Sequence, residues 1–92
     1  MKAQDKISKL RKNIDTIDYK IIDLLDRRFS ISKEIGEIKS SHDINVDDPN
    51  REKQIIDRLG DKMTGKLDKE EIIAIFEPIY NISKRLQKNN YS

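Results

Sequence analysis

The 92-residue chain contains no cysteine, one histidine, two prolines and three glycines. The absence of cysteine excludes a disulfide scaffold and any cysteine-ligated metal site. A single histidine, His42, argues against a histidine-based metal site and against a Ser-His-Asp triad. No apolar run approaches the roughly 20 residues of a transmembrane helix, and none resembles the apolar region of a signal peptide. We therefore expect a cytoplasmic protein that holds no metal and is not attached to a membrane.

Charge is abundant but evenly distributed along the chain. Charged residues make up 39% of the sequence, and the net charge is +2. Residues 1–46 contain ten Lys or Arg and eight Asp or Glu, and residues 47–92 contain nine of each. With neither a basic arm nor an acidic tail, the chain does not fit a nucleic-acid-binding protein. Leu, Ile, Val and Phe together number 25, enough for a thin core in one folded domain over residues 1–92.

The spacing of the apolar residues predicts helices and no strands. From residue 7 to residue 38, apolar side chains recur every three or four residues, at the a and d positions of a heptad frame, with position 28 as the one exception. This apolar stripe consists of Ile7, Leu10, Ile14, Ile17, Ile21, Leu24, Ile31, Ile35 and Ile38. It predicts a first helix over about residues 5–40.

Capping signals predict two further helices. Asp48 suits the N-cap of a second helix with Pro49 as its first residue, and Gly60 suits its end. Asp68 begins a capping box at the start of a third helix. Pro78 lies inside that third helix and should kink it.

The predicted length of the first helix implies a second chain. About 35 residues at roughly 1.5 Å each span some 50 Å, whereas a compact globule of this size is only about 30 Å across. Two short helices cannot cover the whole apolar stripe. The sequence therefore predicts an all-α, three-helix protomer whose long first helix pairs with a second copy in an intertwined homodimer.

Three cations lie on or beside the apolar stripe. Arg28 occupies an a position, and Lys39 lies about three turns farther along nearly the same face of the helix. Arg11, beside Leu10, is about 25 Å from Arg28 along the helix axis, too far for both to bind one small ligand from the same chain. In an antiparallel dimer, Arg11 can reach the partner's site. Singly, each of these cations is also consistent with an ordinary solvated charge.

The second and third helices contribute further polar residues. Arg51 follows Asp48 in a first helical turn, where a cation is unfavourable, and Glu52 lies next to it. Ser83 and Gln87 are four residues apart and share one face of the third helix. The set contains no nucleophile–base pair. It suits a small dicarboxylate, which arginine binds through paired N–H donors, and any catalysis would rest on positioning and electrostatics.

In this order and at these spacings, the residues resemble the all-helical chorismate mutase family over essentially the whole chain. The matching segments are Leu10-Arg11, Ile14-Asp15-Thr16-Ile17-Asp18, Leu24-Leu25-Asp26-Arg27-Arg28, Ile35-Gly36-Glu37-Ile38-Lys39, Asp48-Pro49-Asn50-Arg51-Glu52 and the Ser83–Gln87 pair. The resemblance implies the same intertwined dimer of three-helix protomers.

The resemblance also implies an isomerase activity, the Claisen rearrangement of chorismate to prephenate on the route to phenylalanine and tyrosine. No cofactor or metal is implied. Arg28 and the partner subunit's Arg11 would hold the two carboxylates of chorismate. Lys39 would contact a carboxylate and the ether oxygen, and Gln87 would donate a hydrogen bond to that same oxygen.

The remaining site residues have roles at the ring of the substrate. By resemblance, Glu52 would accept a hydrogen bond from the ring hydroxyl, helped by backbone groups near Asp48 and Arg51. Ser83 would support the ring carboxylate. Pro78 departs from the pattern that we associate with the family.

Two other functions compete with this interpretation. Isochorismate-pyruvate lyases share the fold and nearly the same cations, although Glu52 favours the hydroxyl of chorismate. A non-catalytic helical dimerisation or regulatory module would need the apolar stripe and the helix caps alone. Because such a scaffold needs no cation at an a position, Arg28 argues against it.

Overall fold

Three helices make up most of the chain in the computed structural model, which describes residues 2–89. They are α1 (Ala3–Ser41), α2 (Pro49–Lys62) and α3 (Lys69–Lys88). The described residues contain no β-strand. The all-α, three-helix prediction is confirmed, and the bounds of α1 lie within two residues of those expected from the apolar stripe.

The chain divides into two units at the boundary between Ser30 and Ile31. The first unit consists of the α1 residues before this boundary. Its part of the apolar stripe faces solvent in the single chain, with exposed fractions from 40% at Ile7 to 61% at Leu10. The hydrophobic residues that define the stripe are therefore not buried within one copy of this unit.

The second unit contains the end of α1 together with α2 and α3, and it holds the hydrophobic core. Ile55 and Ile56 of α2 pack with Ile72 and Tyr80 of α3. Ile72 is 2% exposed. Partly buried apolar side chains surround this cluster: Leu59, Met63, Leu67, Ile73 and Phe76. Fully burying one such side chain contributes roughly 1.5–3 kcal/mol, so this core holds α2 against α3.

The start of α2 follows the sequence prediction, but its end does not. The Asp48 side chain accepts a hydrogen bond from the Arg51 backbone N–H at 3.1 Å, as an N-cap does. The predicted end at Gly60 was wrong, because α2 continues to Lys62. The backbone turns into the left-handed region later, at Gly65, whose φ is +82°. That conformation favours glycine, and Gly65 adopts it in the loop beyond the α2 C-cap, Met63.

The start of α3 is a complete capping box. The Glu71 backbone N–H donates to Asp68 Oδ1 at 2.8 Å, and the Asp68 N–H donates to Glu71 Oε1 at 3.0 Å. Two orphan N–H groups are thereby satisfied, which confirms this predicted boundary. Pro78 lies inside α3, and the helix continues to Lys88 beyond it. A kink at Pro78 stays a prediction.

Candidate active site

Lys39 in the last turn of α1 lies beside the segment that leads into α2. Its ammonium Nζ donates a hydrogen bond to the Val46 carbonyl at 3.3 Å, and Val46 itself is buried. The backbone N–H of Ile44 donates to the Lys39 carbonyl at 2.8 Å. Since an ammonium has three N–H donors, the bond to Val46 leaves Lys39 with donor capacity for a ligand. These contacts hold Lys39 at one end of segment 46–52.

The first turn of α2 forms the rest of segment 46–52. The Glu52 backbone N–H donates to the Asp48 carbonyl at 3.2 Å, and Glu52 is partly buried whereas Arg51 is exposed. The Arg51 backbone N–H is engaged by Asp48 Oδ1. The capping bond therefore engages the Arg51 N–H, in the region where the resemblance implies backbone contacts to the ring hydroxyl of the substrate.

Lys84 of α3 forms an ion pair with Glu52 across the α2–α3 interface. Its Nζ lies 2.8 Å from Glu52 Oε1 and 3.7 Å from Asp47 Oδ1. About one third of each side chain in the Lys84–Glu52 pair is exposed, 32% and 33%. The hydrogen bond to Glu52 raises the pKa of Lys84 above its usual 10.5, against the lowering effect of partial burial. α3 is thus joined to the same segment that Lys39 contacts from α1.

An open cleft of about 300 Å³ lies between α2 and α3, and the Lys84–Glu52 pair lines it. Pro49 and Tyr80 also contribute to its wall. The other predicted site residues on these two helices are not among its lining residues. The cleft therefore presents Glu52 together with Lys84 and contains only a part of the predicted site.

Ser83 and Gln87 lie on α3 next to Lys84. Ser83 is 6% exposed, and the side-chain oxygen Oε1 of Gln87 is buried. A polar pair on the outer edge of an amphipathic helix would be solvated. Burial therefore argues against the interpretation that this pair is merely a polar helix edge.

Arg11 and Arg28 belong to the first unit, on α1. Arg11 is exposed and Arg28 is partly buried. The contribution of Arg11 across a dimer stays a prediction.

Two further features bear on the class of protein. Among residues 2–89, no group of three or more His, Asp or Glu side chains could hold a metal ion. None of the helices within this range is both long enough and apolar enough to cross a membrane.

Comparison with known proteins identifies the family. The sequence model of the family described as Chorismate mutase type II matches residues 10–88. The chain belongs to this family. The matched range includes every residue of the predicted site, and it confirms the resemblance seen in the sequence. Membership in the chorismate mutase family makes the chain an enzyme of the isomerase class.

Individual relatives support the same assignment. A chorismate mutase from Methanocaldococcus jannaschii is 40% identical over 86 residues, which is 91% of this chain and 86% of that protein. A bifunctional chorismate mutase/prephenate dehydratase from Aquifex aeolicus is 32% identical over 88 residues, 91% of this chain and 24% of that protein. A bifunctional protein of the same description from Stutzerimonas stutzeri is 26% identical over 93 residues, or 26% of its length. The chain thus spans about a quarter of each bifunctional relative.

Sequence reasoning overlooked Lys84. Lys84 follows Glu52 by 32 residues, so no helical spacing rule connects them. Its only signal was its position directly after Ser83. The pair forms because the core of this chorismate mutase family member packs α2 against α3.

Proposed function

We propose that this chain catalyses the rearrangement of chorismate to prephenate in phenylalanine and tyrosine biosynthesis. The observation that carries the proposal is the convergence of Lys39 and Glu52 on segment 46–52, in a chain of the chorismate mutase family. Lys39 supplies a cation, and Glu52 supplies a hydrogen-bond acceptor. A dicarboxylate that also bears a ring hydroxyl requires both.

The reaction is an intramolecular exchange of bonds. The ether C–O bond of chorismate breaks while a new C–C bond forms, so no proton, electron or co-reactant has to enter. Negative charge accumulates on the ether oxygen as its bond breaks. Lys39 and Gln87 donate hydrogen bonds to that oxygen and stabilise the charge where it develops. The contact of Lys39 with Val46 supports a donor that is held in place before substrate binds, and the side-chain amide of Gln87 is partly buried.

The remaining residues select the reactive conformation of the substrate. Arg28 and the partner subunit's Arg11 hold the two carboxylates, and this clamp favours the compact chair-like conformer in which the reacting carbons meet. Ser83 supports the ring carboxylate, and its burial is consistent with that role. Glu52 accepts from the ring hydroxyl at the start of α2, a turn shaped by Asp48 and Arg51.

The intertwined homodimer is part of the same proposal. In the single chain, apolar stripe residues from Ile7 to Leu24 are 40% to 61% exposed. A monomeric protein rarely leaves a contiguous apolar surface of this kind in water. A second copy of the same long helix offers a matching stripe, and it also brings the partner subunit's Arg11 to the substrate.

We expect a dimer at micromolar concentration that loses helical structure on dilution, because the stripe then loses its cover. Sedimentation equilibrium and far-ultraviolet circular dichroism over a dilution series measure both properties. Ile14→Asp, within the stripe, should dissociate the dimer. Thr16→Asp, on the face of the same helix away from the apolar stripe, should leave it intact. A fully helical, monodisperse monomer at micromolar concentration would disprove the dimer and the role of Arg11.

Product analysis separates this function from the lyase alternative. The chain is incubated with chorismate and, separately, with isochorismate, and the products are identified by NMR. We expect prephenate from chorismate as the dominant activity, because Glu52 is available to the chorismate hydroxyl. Release of pyruvate from isochorismate with a higher kcat/KM would instead make the chain a lyase. If the chain converts neither substrate, the remaining interpretation is a non-catalytic dimerisation or regulatory module.

A further inference from the structure

Lys84 has no role in the function as proposed so far, although its ammonium lies 2.8 Å from the carboxylate of Glu52, a predicted site residue. We infer that Lys84 is a positioning residue for Glu52. It holds Oε1 of the carboxylate so that Oε2 accepts from the ring hydroxyl, and it offsets the charge of Glu52 beside a dianionic substrate. This inference deepens the proposed mutase function and rests on it.

The geometry favours Glu52 as the main partner of Lys84. Nζ lies 2.8 Å from Glu52 Oε1, a charge-assisted hydrogen bond, whereas Asp47 Oδ1 is at 3.7 Å. The Glu52 backbone is fixed by its bond to the Asp48 carbonyl, so rotation of the side chain is its main remaining freedom. A carboxylate accepts through both oxygens. Occupation of Oε1 by Lys84 therefore orients Oε2 for a second donor.

Electrostatics gives Lys84 a second effect on the same group. An uncompensated Glu52 would repel a substrate with two carboxylates. Lys84 and Glu52 are each about two-thirds covered, so solvent and salt screen this pair less than a fully exposed one. The ammonium thus lets a carboxylate serve as hydrogen-bond acceptor in a site built for anions.

A second α2–α3 ion pair provides a matched control. Lys69 Nζ lies 3.1 Å from Asp57 Oδ1, with 62% and 47% of the two side chains exposed. It joins the same two helices but involves no residue of the predicted site. Lys69→Ala therefore removes one positive charge and one α2–α3 contact without touching Glu52.

The first experiment measures steady-state kinetics with chorismate. Lys84→Ala should raise KM roughly 3- to 10-fold and change kcat less than about twofold, because the contact with the hydroxyl is present in both ground and transition states. Lys84→Arg should restore most of the loss, and Lys69→Ala should leave both constants unchanged. Thermal melts verify folding, and Lys84→Gln replaces Lys84→Ala if the latter does not fold.

The second experiment tests whether Lys84 acts through Glu52. In a Glu52→Gln background, Lys84→Ala should change KM less than about twofold. If Lys84→Ala raises KM as much in the Glu52→Gln background as in the parent, the inference is overturned, because Lys84 would then bind substrate directly. An unchanged KM in Lys84→Ala, with an active parent, would overturn the inference and leave the mutase function standing. A parent chain without mutase activity would overturn both.

Discussion

Replacing Lys39 with alanine should lower kcat/KM for chorismate roughly 100-fold or more, the usual scale for removal of one preorganised donor to a developing charge. Most of the loss should appear in kcat, because the charge on the ether oxygen develops in the transition state. The fold should survive, since the hydrogen bond of 3.3 Å from the Lys39 ammonium to the Val46 carbonyl is long and lies outside the α2–α3 core.

A lysine elsewhere on α1 serves as the control for this variant. Lys20 is exposed in the first unit and belongs to no predicted contact with substrate. Lys20→Ala removes the same charge from the same helix and should leave kcat/KM within about twofold. Circular dichroism of both variants measures helical content. Near-normal activity of Lys39→Ala would remove Lys39 from the site and weaken the whole electrostatic account.

Replacing Gln87 with glutamate should make activity strongly dependent on pH. A neutral amide donates to the ether oxygen at any pH, whereas a carboxyl group donates only when protonated. The pKa of an unperturbed glutamate is about 4.3, and that of a partly buried one is somewhat higher. Gln87→Glu should therefore lose roughly 100-fold in kcat at pH 8 and regain much of it near pH 5. The parent should show no such dependence across neutral pH.

The recovery at low pH has a limit set by Lys39. If Lys39 is directed at the same ether oxygen, its positive charge favours the ionised form of the new glutamate and shifts the recovery to lower pH. Gln54→Glu, on the exposed side of α2, is the matched control and should keep the parent's pH profile. If Gln87→Glu has the parent's activity at both pH values, then Gln87 is not a donor to the ether oxygen.

The fold could be predicted from the sequence where its signals are local. The Asp68 capping box and the Asp48-Pro49 start each depend on residues within one helical turn, and both boundaries are correct. The end of α2 was misjudged because glycine is tolerated inside a helix. Gly60 lies inside α2, which ends at Lys62 with Met63 as its C-cap, and the glycine with a positive φ is Gly65 in the following loop.

The candidate site was also predictable only in part: the sequence indicated Lys39 and Glu52 but not Lys84. The spacing of polar residues and the family resemblance pointed to Lys39 and Glu52. In the structure, Lys39 contacts segment 46–52 and Glu52 is part of that segment. Lys84 could not be predicted from spacing, because its pairing with Glu52 depends on how the Ile56 and Ile72 cluster packs α2 against α3. Contacts of this kind arise from tertiary packing and carry no sequence period.

The most direct test of the account is conversion of chorismate by the purified chain, followed by NMR, with the Lys39→Ala variant prepared in parallel. The account predicts that the parent forms prephenate far faster than buffer alone, without any added cofactor and in the presence of a metal chelator. It also predicts that Lys39→Ala loses most of this acceleration. Disappearance of chorismate at the rate in buffer alone, or an equally active Lys39→Ala variant, would contradict it.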